Sequence, residues 1–357
     1  MVNLIQVKSN TNNNILRVMP LPIMEIACRR QSEIFNIKNN KIVLSPYLGY
    51  ILAIAAAALA GLVHSISKPL LSYSGSTVSE INPITLAAII FIINGLFFTP
   101  LRKETNSISN VGKKNWIMLA IIGIAEISAL ITYFFGLKES TAVNASILTN
   151  GEIVFSILVA ITIFREKLQK KEFAPFSMII GGIVLLPIGY DLYQNGMVLT
   201  DIVFGDLLLL FSGVFYAIDV NFCKMVTHRL DAKKITQLAS FVGGGFALCL
   251  LFVFQIPIEI DLSQIPRIAI IGLFGTGFAT FFFLISLRLI GAIRTILLYS
   301  STTVFGMIFA SLFLHESITI QNVFSIILVS LGIYLLRNRL GKTDIIGKRV
   351  EGIVKND

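Results

Sequence analysis

Charge is what this chain has least of. Asp, Glu, Lys and Arg make up only 14% of its 357 residues, against roughly 25% in a soluble domain, which excludes an ordinary solvated globular surface. Cysteine is sparse too: Cys28, Cys223 and Cys249 are odd in number, scattered, and without a Cys-x-x-Cys or a histidine at ligand spacing, so neither a disulfide framework nor a metal site is expected. No Walker-type phosphate loop occurs, which leaves direct ATP drive unsupported. Gly275-Thr-Gly277-Phe-Ala-Thr280 lacks the last glycine of a dinucleotide loop and follows no strand, so no cofactor is expected. The N-terminus has no basic start, apolar core and small-residue cleavage site, and no cleaved signal is expected.

What the chain has in abundance is apolar sequence: 55% hydrophobic residues and a mean hydropathy of +0.81. Unbroken runs such as Met118 to Phe135 approach the ~20 residues with which a helix crosses ~30 Å of hydrocarbon. They lack the alternation of barrel strands. The reading is an all-α membrane protein with ten transmembrane helices, at approximately 48–67, 83–101, 116–136, 142–163, 173–190, 204–223, 236–254, 268–287, 293–314 and 320–336. The lipid bilayer is the first partner. A net charge of +9 marks cytoplasmic loops in such a chain, not a nucleic-acid partner.

With a cytoplasmic N-terminus, 26 of the 29 Lys and Arg residues fall on the inner side, leaving Lys68, Lys138 and Arg267 outside. This bias places both termini in the cytoplasm of a multi-pass cell-membrane protein and requires an even number of spans. Residues 1–46 read as a polar, irregular tail, and 338–357 as a basic one.

The second half of the chain overlays the first at an offset of 150 residues. Leu148/Leu298, Val154/Val304, Phe155/Phe305, Ala160/Ala310, Glu166/Glu316 and Gly182/Gly332 coincide, and Leu137-Lys138 matches Leu287-Arg288. The repeats span 48–190 and 204–337. Five spans each is an odd number, so the second enters the membrane inverted, the architecture of alternating access with a midplane substrate site. Two such halves, each with Leu-Lys/Arg ending its third helix, Glu closing its fourth and a glycine-bearing fifth, resemble the EamA-type drug/metabolite transporter superfamily over residues 48–337. The resemblance implies a cavity lined by spans 1, 3, 4, 6, 8 and 9. Many members carry Pro thirteen residues before the closing Glu; Ile153 and Thr303 stand there instead.

Ionisable groups inside hydrocarbon are functional candidates by default, and here they are His64, Glu126, Glu152, Asp206 and Asp219. Glu126 and Glu152 lie mid-span on successive helices, at similar depth. A carboxyl pair there suits a proton-coupled exchanger, with the proton a candidate coupling ion, and when ionised it would attract a cation. The substrate- and proton-binding candidates are Glu152, Glu126, Asn150, Asn144, Asp219 and Tyr299, joined by Tyr133 and Tyr216 and walled by Phe155 and Phe305. Asn150 and Glu152 stand ~200° apart on an ideal helix and share a face only if it unwinds near Gly151. Gate or helix-end candidates are His64, Lys68, Glu166 and Glu316. His64 is expected at the outer mouth, Asp206 at the interface, and Asp219 beside Lys224. Gly181-Gly182, Gly243-Gly244-Gly245 and Gly272/Gly275/Gly277 allow close helix approach.

The function expected is a secondary transporter exporting a small metabolite or drug, and not an enzyme. An intramembrane enzyme using His64, or an uncoupled channel, is the alternative.

Overall fold

The computed structural model describes residues 46–72, 80–99, 112–162, 170–185, 201–227 and 230–336. The tails, apart from Pro46, and Glu166 lie outside the described residues. The described residues form helices and no strand. In chain order these are α1 Pro46–Leu71, α2 Pro83–Phe98, α3 Lys113–Glu139, α4 Ala142–Leu148, α5 Gly151–Thr162, α6 Lys170–Val184, α7 Asp201–Thr227 and α8 Ala232–Val253. There follow α9 Leu262–Ile290, α10 Ala292–Tyr299 and α11 Thr302–Leu314, and α12 Ile320–Leu336.

Seven helical stretches are long and apolar enough to cross a membrane: α1, α3, α4 with α5, α7, α8, α9, and α10 with α11. Three shorter apolar helices, Pro83–Phe98, Glu172–Val184 and Ile320–Leu336, accompany them. Large apolar side chains cover the outside, and polar groups are buried within an apolar core. Phe211, Phe252, Leu312, Phe313 and Phe324 face outward, while Ser67, Asn94, Asn144, Asp206 and Ser286 are buried. Only lipid accommodates so large an exposed apolar surface.

Local chemistry sets the helix ends. Asn82 accepts a hydrogen bond from the Ile84 amide, with Pro83 at the first helical position, and so starts α2. Thr141 starts α4 in the same way through the Asn144 amide. Gly291, at φ 80°, turns the chain between α9 and α10, a conformation that only glycine adopts cheaply. Within α9 the stretch Ile271–Phe278 widens to a π-helical turn, where Asn94 of α2 donates to the Thr276 hydroxyl at 2.7 Å.

Contacts run mainly between α1–α6 and α7–α12. The α3 helix lies along α7, α2 against α8, and α1 between α9 and α11. Small residues permit this. A Cβ on Gly136 would fall 2.7 Å from the Gly205 carbonyl oxygen, and one on Gly205 2.8 Å from that of Gly136. Gly243 meets Phe91 and the Gly123 carbonyl, whereas Gly181 and Gly245 have nothing within 4 Å. The glycine runs therefore serve close approach at only some of their members.

Two sets of contacts recur at the sequence offset. A Cβ on Gly182 would meet Val329 and the Ser325 carbonyl; one on Gly332 would meet Ile179 and the Pro175 carbonyl. Residues 175/325, 179/329 and 182/332 are each 150 apart, so α6 and α12 touch through corresponding residues, as elements related by a two-fold axis do. Likewise Lys138 pairs with Glu80 at 2.9 Å and Arg288 with Asp231 at 3.5 Å. Each links the end of one helix to the residues leading into another.

Candidate functional site

The site is organised by two interrupted helices. Between α4 and α5 the amides of Asn150, Glu152 and Ile153 bond three residues back, to Ile147, Thr149 and Asn150, at 3.1, 3.2 and 3.0 Å. Between α10 and α11, Ser301 and Thr303 do the same to Leu298 and Ser300, at 3.1 and 3.3 Å. The tighter turns change the rotation between successive side chains. Asn150 and Glu152 consequently both line one cavity. The interruptions also touch: the Asn150 amide donates to the Thr303 hydroxyl at 2.6 Å and to the Ile147 carbonyl at 3.0 Å.

The cavity, of about 170 Å³, is lined from α1, α3, the Thr149–Ile153 stretch, α7, α9, α10 and the start of α11, with Phe91 contributed by α2. Its acids are Glu126, Glu152 and Asp219, and its rings include Tyr133, Tyr216, Phe283 and Tyr299. Phe283 and Tyr299 pack at 4.8 Å between ring centroids. Thr280 lines the cavity with Glu126, and the Cys223 thiol donates to Asp219 at 3.3 Å. His64 is buried, with 4% of its surface exposed, and its Nδ1 lies 2.5 Å from the Tyr133 hydroxyl. Room for the imidazole comes from Gly306, where a Cβ would sit 2.8 Å from His64 Cδ2.

Beyond one end of the cavity lies a network of helix ends. The Lys68 ammonium donates to the carbonyls of Leu137, Lys138 and Ser140 at 2.8, 2.8 and 2.6 Å. A cation there satisfies the last carbonyls of α3 and complements the negative end of its dipole. Glu316 does the converse for α4, accepting from the Ala142 and Val143 amides at 3.0 and 2.9 Å. Asp206 accepts from the Ser140 hydroxyl and from the Asn144 amide, and Asn322 donates to the Asn144 carbonyl oxygen at 3.1 Å. None of these residues lines the cavity.

Of the residues expected to share a binding site, Glu126, Glu152, Asn150, Asp219 and Tyr299 line the cavity together, and Asn144 does not. Asn144 joins the helix-end network because it follows Thr141 by less than one turn. His64 is no mouth residue: burial against Tyr133 and Gly306 brings it to the cavity wall. Asp206, near the start of α7, is fully buried and not open to solvent, since the Gly136–Gly205 contact presses this part of α7 onto α3. Phe155 packs on Gly213 and Phe305 on Gly61, so neither walls the cavity. Asp219 faces the cavity; the Lys224 side chain lies outside what is described.

Sequence reasoning missed Thr276, Thr280, Phe283 and Thr303. A hydroxyl pair four residues apart, Thr276 and Thr280, marks one helical face and was the signal available in span 8. Thr303 becomes significant only when the second interruption is visible.

Comparison with known proteins agrees with this architecture. Residues 47–187 and 203–338 each match the EamA-like transporter family. An uncharacterized transporter of Methanothermobacter thermautotrophicus is 31% identical over 304 residues, covering 81% of this chain and 85% of its own length. The uncharacterized transporter YyaM of Bacillus subtilis is 27% identical over 301 residues, covering 80% and 92%. One solved crystal structure shares the fold at a TM-score of 0.56 and 15% identity, covering 86% of this chain and 98% of its own. Matched twice along its length, and 31% identical over 304 residues to an uncharacterized transporter, this multi-pass membrane protein belongs to the EamA-like transporter family.

Proposed function

We propose that the protein is a secondary transporter of a small metabolite or drug, working by alternating access between two inverted five-helix repeats. One repeat consists of α1, α2, α3, α4 with α5, and α6; the other of α7, α8, α9, α10 with α11, and α12. The ten spans lie in the cell membrane with both termini cytoplasmic, as the charge bias of the loops requires. The single observation that carries the reading is the cavity itself: it sits where two interrupted helices touch through Asn150 and Thr303. Interrupted helices at a midplane site are how inverted-repeat transporters expose polar groups to a substrate. The reciprocal α6–α12 contacts and the matched Lys138 and Arg288 ion pairs support the repeat relation.

The helix-end network closes the outer side in this conformation. Opening it requires Lys68, Glu316 and Asp206 to release backbone and side-chain partners contributed by α3, Ser140 and α4. Transport runs outward and is coupled to protons through Glu126 or Glu152, the acids nearest the mid-depth of α3 and of the span formed by α4 with α5. Everted vesicles carrying the protein will then acquire substrate faster under an imposed pH gradient, and Glu152→Gln will remove that acceleration. Uptake indifferent both to the gradient and to Glu152→Gln rules the coupling out.

A further inference from the structure

The charge and size of the cavity narrow the cargo. Three carboxyl groups, Glu126, Glu152 and Asp219, reach the cavity from three helices, and among the described residues no Lys or Arg lines it. A substrate carboxylate would meet only like charge there, with no protein cation to offset the loss of its hydration. A protonated amine meets acceptors instead, and Tyr216, Phe283 and Tyr299 supply aromatic rings to the lining, the kind of group that attracts a cation. Among the described residues no group of three or more His, Cys, Asp or Glu side chains could hold a metal ion. The three acids line one cavity without closing to metal-ligand geometry, which suits a multi-atom cation better than a bare metal ion.

His64 adds one more polar residue to the cavity lining, with its Nδ1 engaged by Tyr133 and its Nε2 buried on the side of Gly306. Volume sets the remaining limit. At about 170 Å³ the cavity is close to the ~150 Å³ void that accommodates benzene, so one ring with a short chain fills it.

We infer that the cargo is an organic cation of this size: a protonated amine on an aromatic body, its charge met by the carboxyls of the cavity wall. The inference rests on the cavity being the transport site. It is tested with the purified full-length protein and three ligands that share a phenol ring and differ in charge: tyramine, tyrosine and 4-hydroxyphenylacetate. Calorimetry is expected to find tyramine bound and the other two weaker by about tenfold or more. Glu126→Gln and Asp219→Asn should each weaken tyramine by about tenfold to a hundredfold, the loss expected for one charge-assisted contact.

Tighter binding of either acid-bearing ligand overturns the inference. So does failure of all three to bind up to about 10 mM, or wild-type affinity for tyramine in both variants. The ligand comparison is made on the wild-type protein, so it holds even if a variant misfolds. Proteoliposome flux separates this inference from the transport reading. Tyramine that binds competitively but never crosses upholds the cargo class and sinks transport; tyrosine that crosses while tyramine does not bind sinks the cargo class and upholds transport.

Discussion

Replacing Gly136 by alanine adds one methyl group where α3 and α7 are closest. Built on the native backbone, that Cβ would stand 2.7 Å from the Gly205 carbonyl oxygen, 2.7 Å from the Leu209 amide nitrogen and 2.8 Å from Leu209 Cγ. Two of the three are backbone atoms, so no change of rotamer relieves the clash, and the helices must separate. Ordinary contact begins at 3.4 Å, which sets the displacement at about 0.7 Å, and overpacking of this kind costs ~1–3 kcal/mol. The same movement pulls at the buried Ser140–Asp206 hydrogen bond, which joins the two helices beside the contact.

The control is Gly181→Ala or Gly245→Ala, where nothing lies within 4 Å and alanine gains up to about 1 kcal/mol of helix propensity. Unfolding in mixed micelles, titrated with a denaturing detergent, will place Gly136→Ala below wild type and both controls at or above it. Because Gly136 and Gly205 face each other, the double alanine variant will lose less than the sum of the two single losses, the helices having already moved apart. Equal stability of Gly136→Ala and the controls would refute the reasoning, since it would mean that the α3–α7 contact yields without cost.

Glu316→Ala removes the acceptor of two α4 amides and should cost ~1–2 kcal/mol, as loss of an N-cap does. Hydrogen exchange at Ala142 and Val143 will rise with it, and unchanged exchange there would show that the cap holds nothing. Asp206→Ala strands the Ser140 hydroxyl and the Asn144 amide in a buried place, costing ~1–3 kcal/mol, whereas Asp206→Asn keeps one acceptor and should lose less; the reverse order in the same titration contradicts the network. Neutralising Lys138 or Arg288 breaks ion pairs that are about a third exposed, so each should change stability by less than about 1 kcal/mol. A larger loss on unfolding would point to a role beyond the pair.

The carboxyl groups of the candidate site were legible because acids within apolar runs are rare: Glu126, Glu152 and Asp219 stand out from any hydropathy trace. The possibility of an interruption was legible too, from the angle between Asn150 and Glu152 and the glycine that follows Asn150. Its counterpart at Ser300–Ser301 was not, because serine inside an apolar run is common and carries no angular contradiction. His64 and Asp206 were the hardest to place. Both are polar residues near a span end, and one-dimensional position assigns such residues to water.

Sequence by itself determined the solvent of this protein and its helical class, because hydrocarbon admits only backbone whose hydrogen bonds close internally, and runs of this length close them as helices. It also determined where charge is affordable, and so which acids to suspect. Tertiary structure alone decided which polar groups meet. Whether His64 faces lipid, water or Tyr133 depends on a glycine 242 positions later, at Gly306. Whether Asp206 reaches solvent depends on how closely two glycines let α3 and α7 approach. Such outcomes are set by contacts between residues far apart in the chain, and no periodicity within a single helix encodes them.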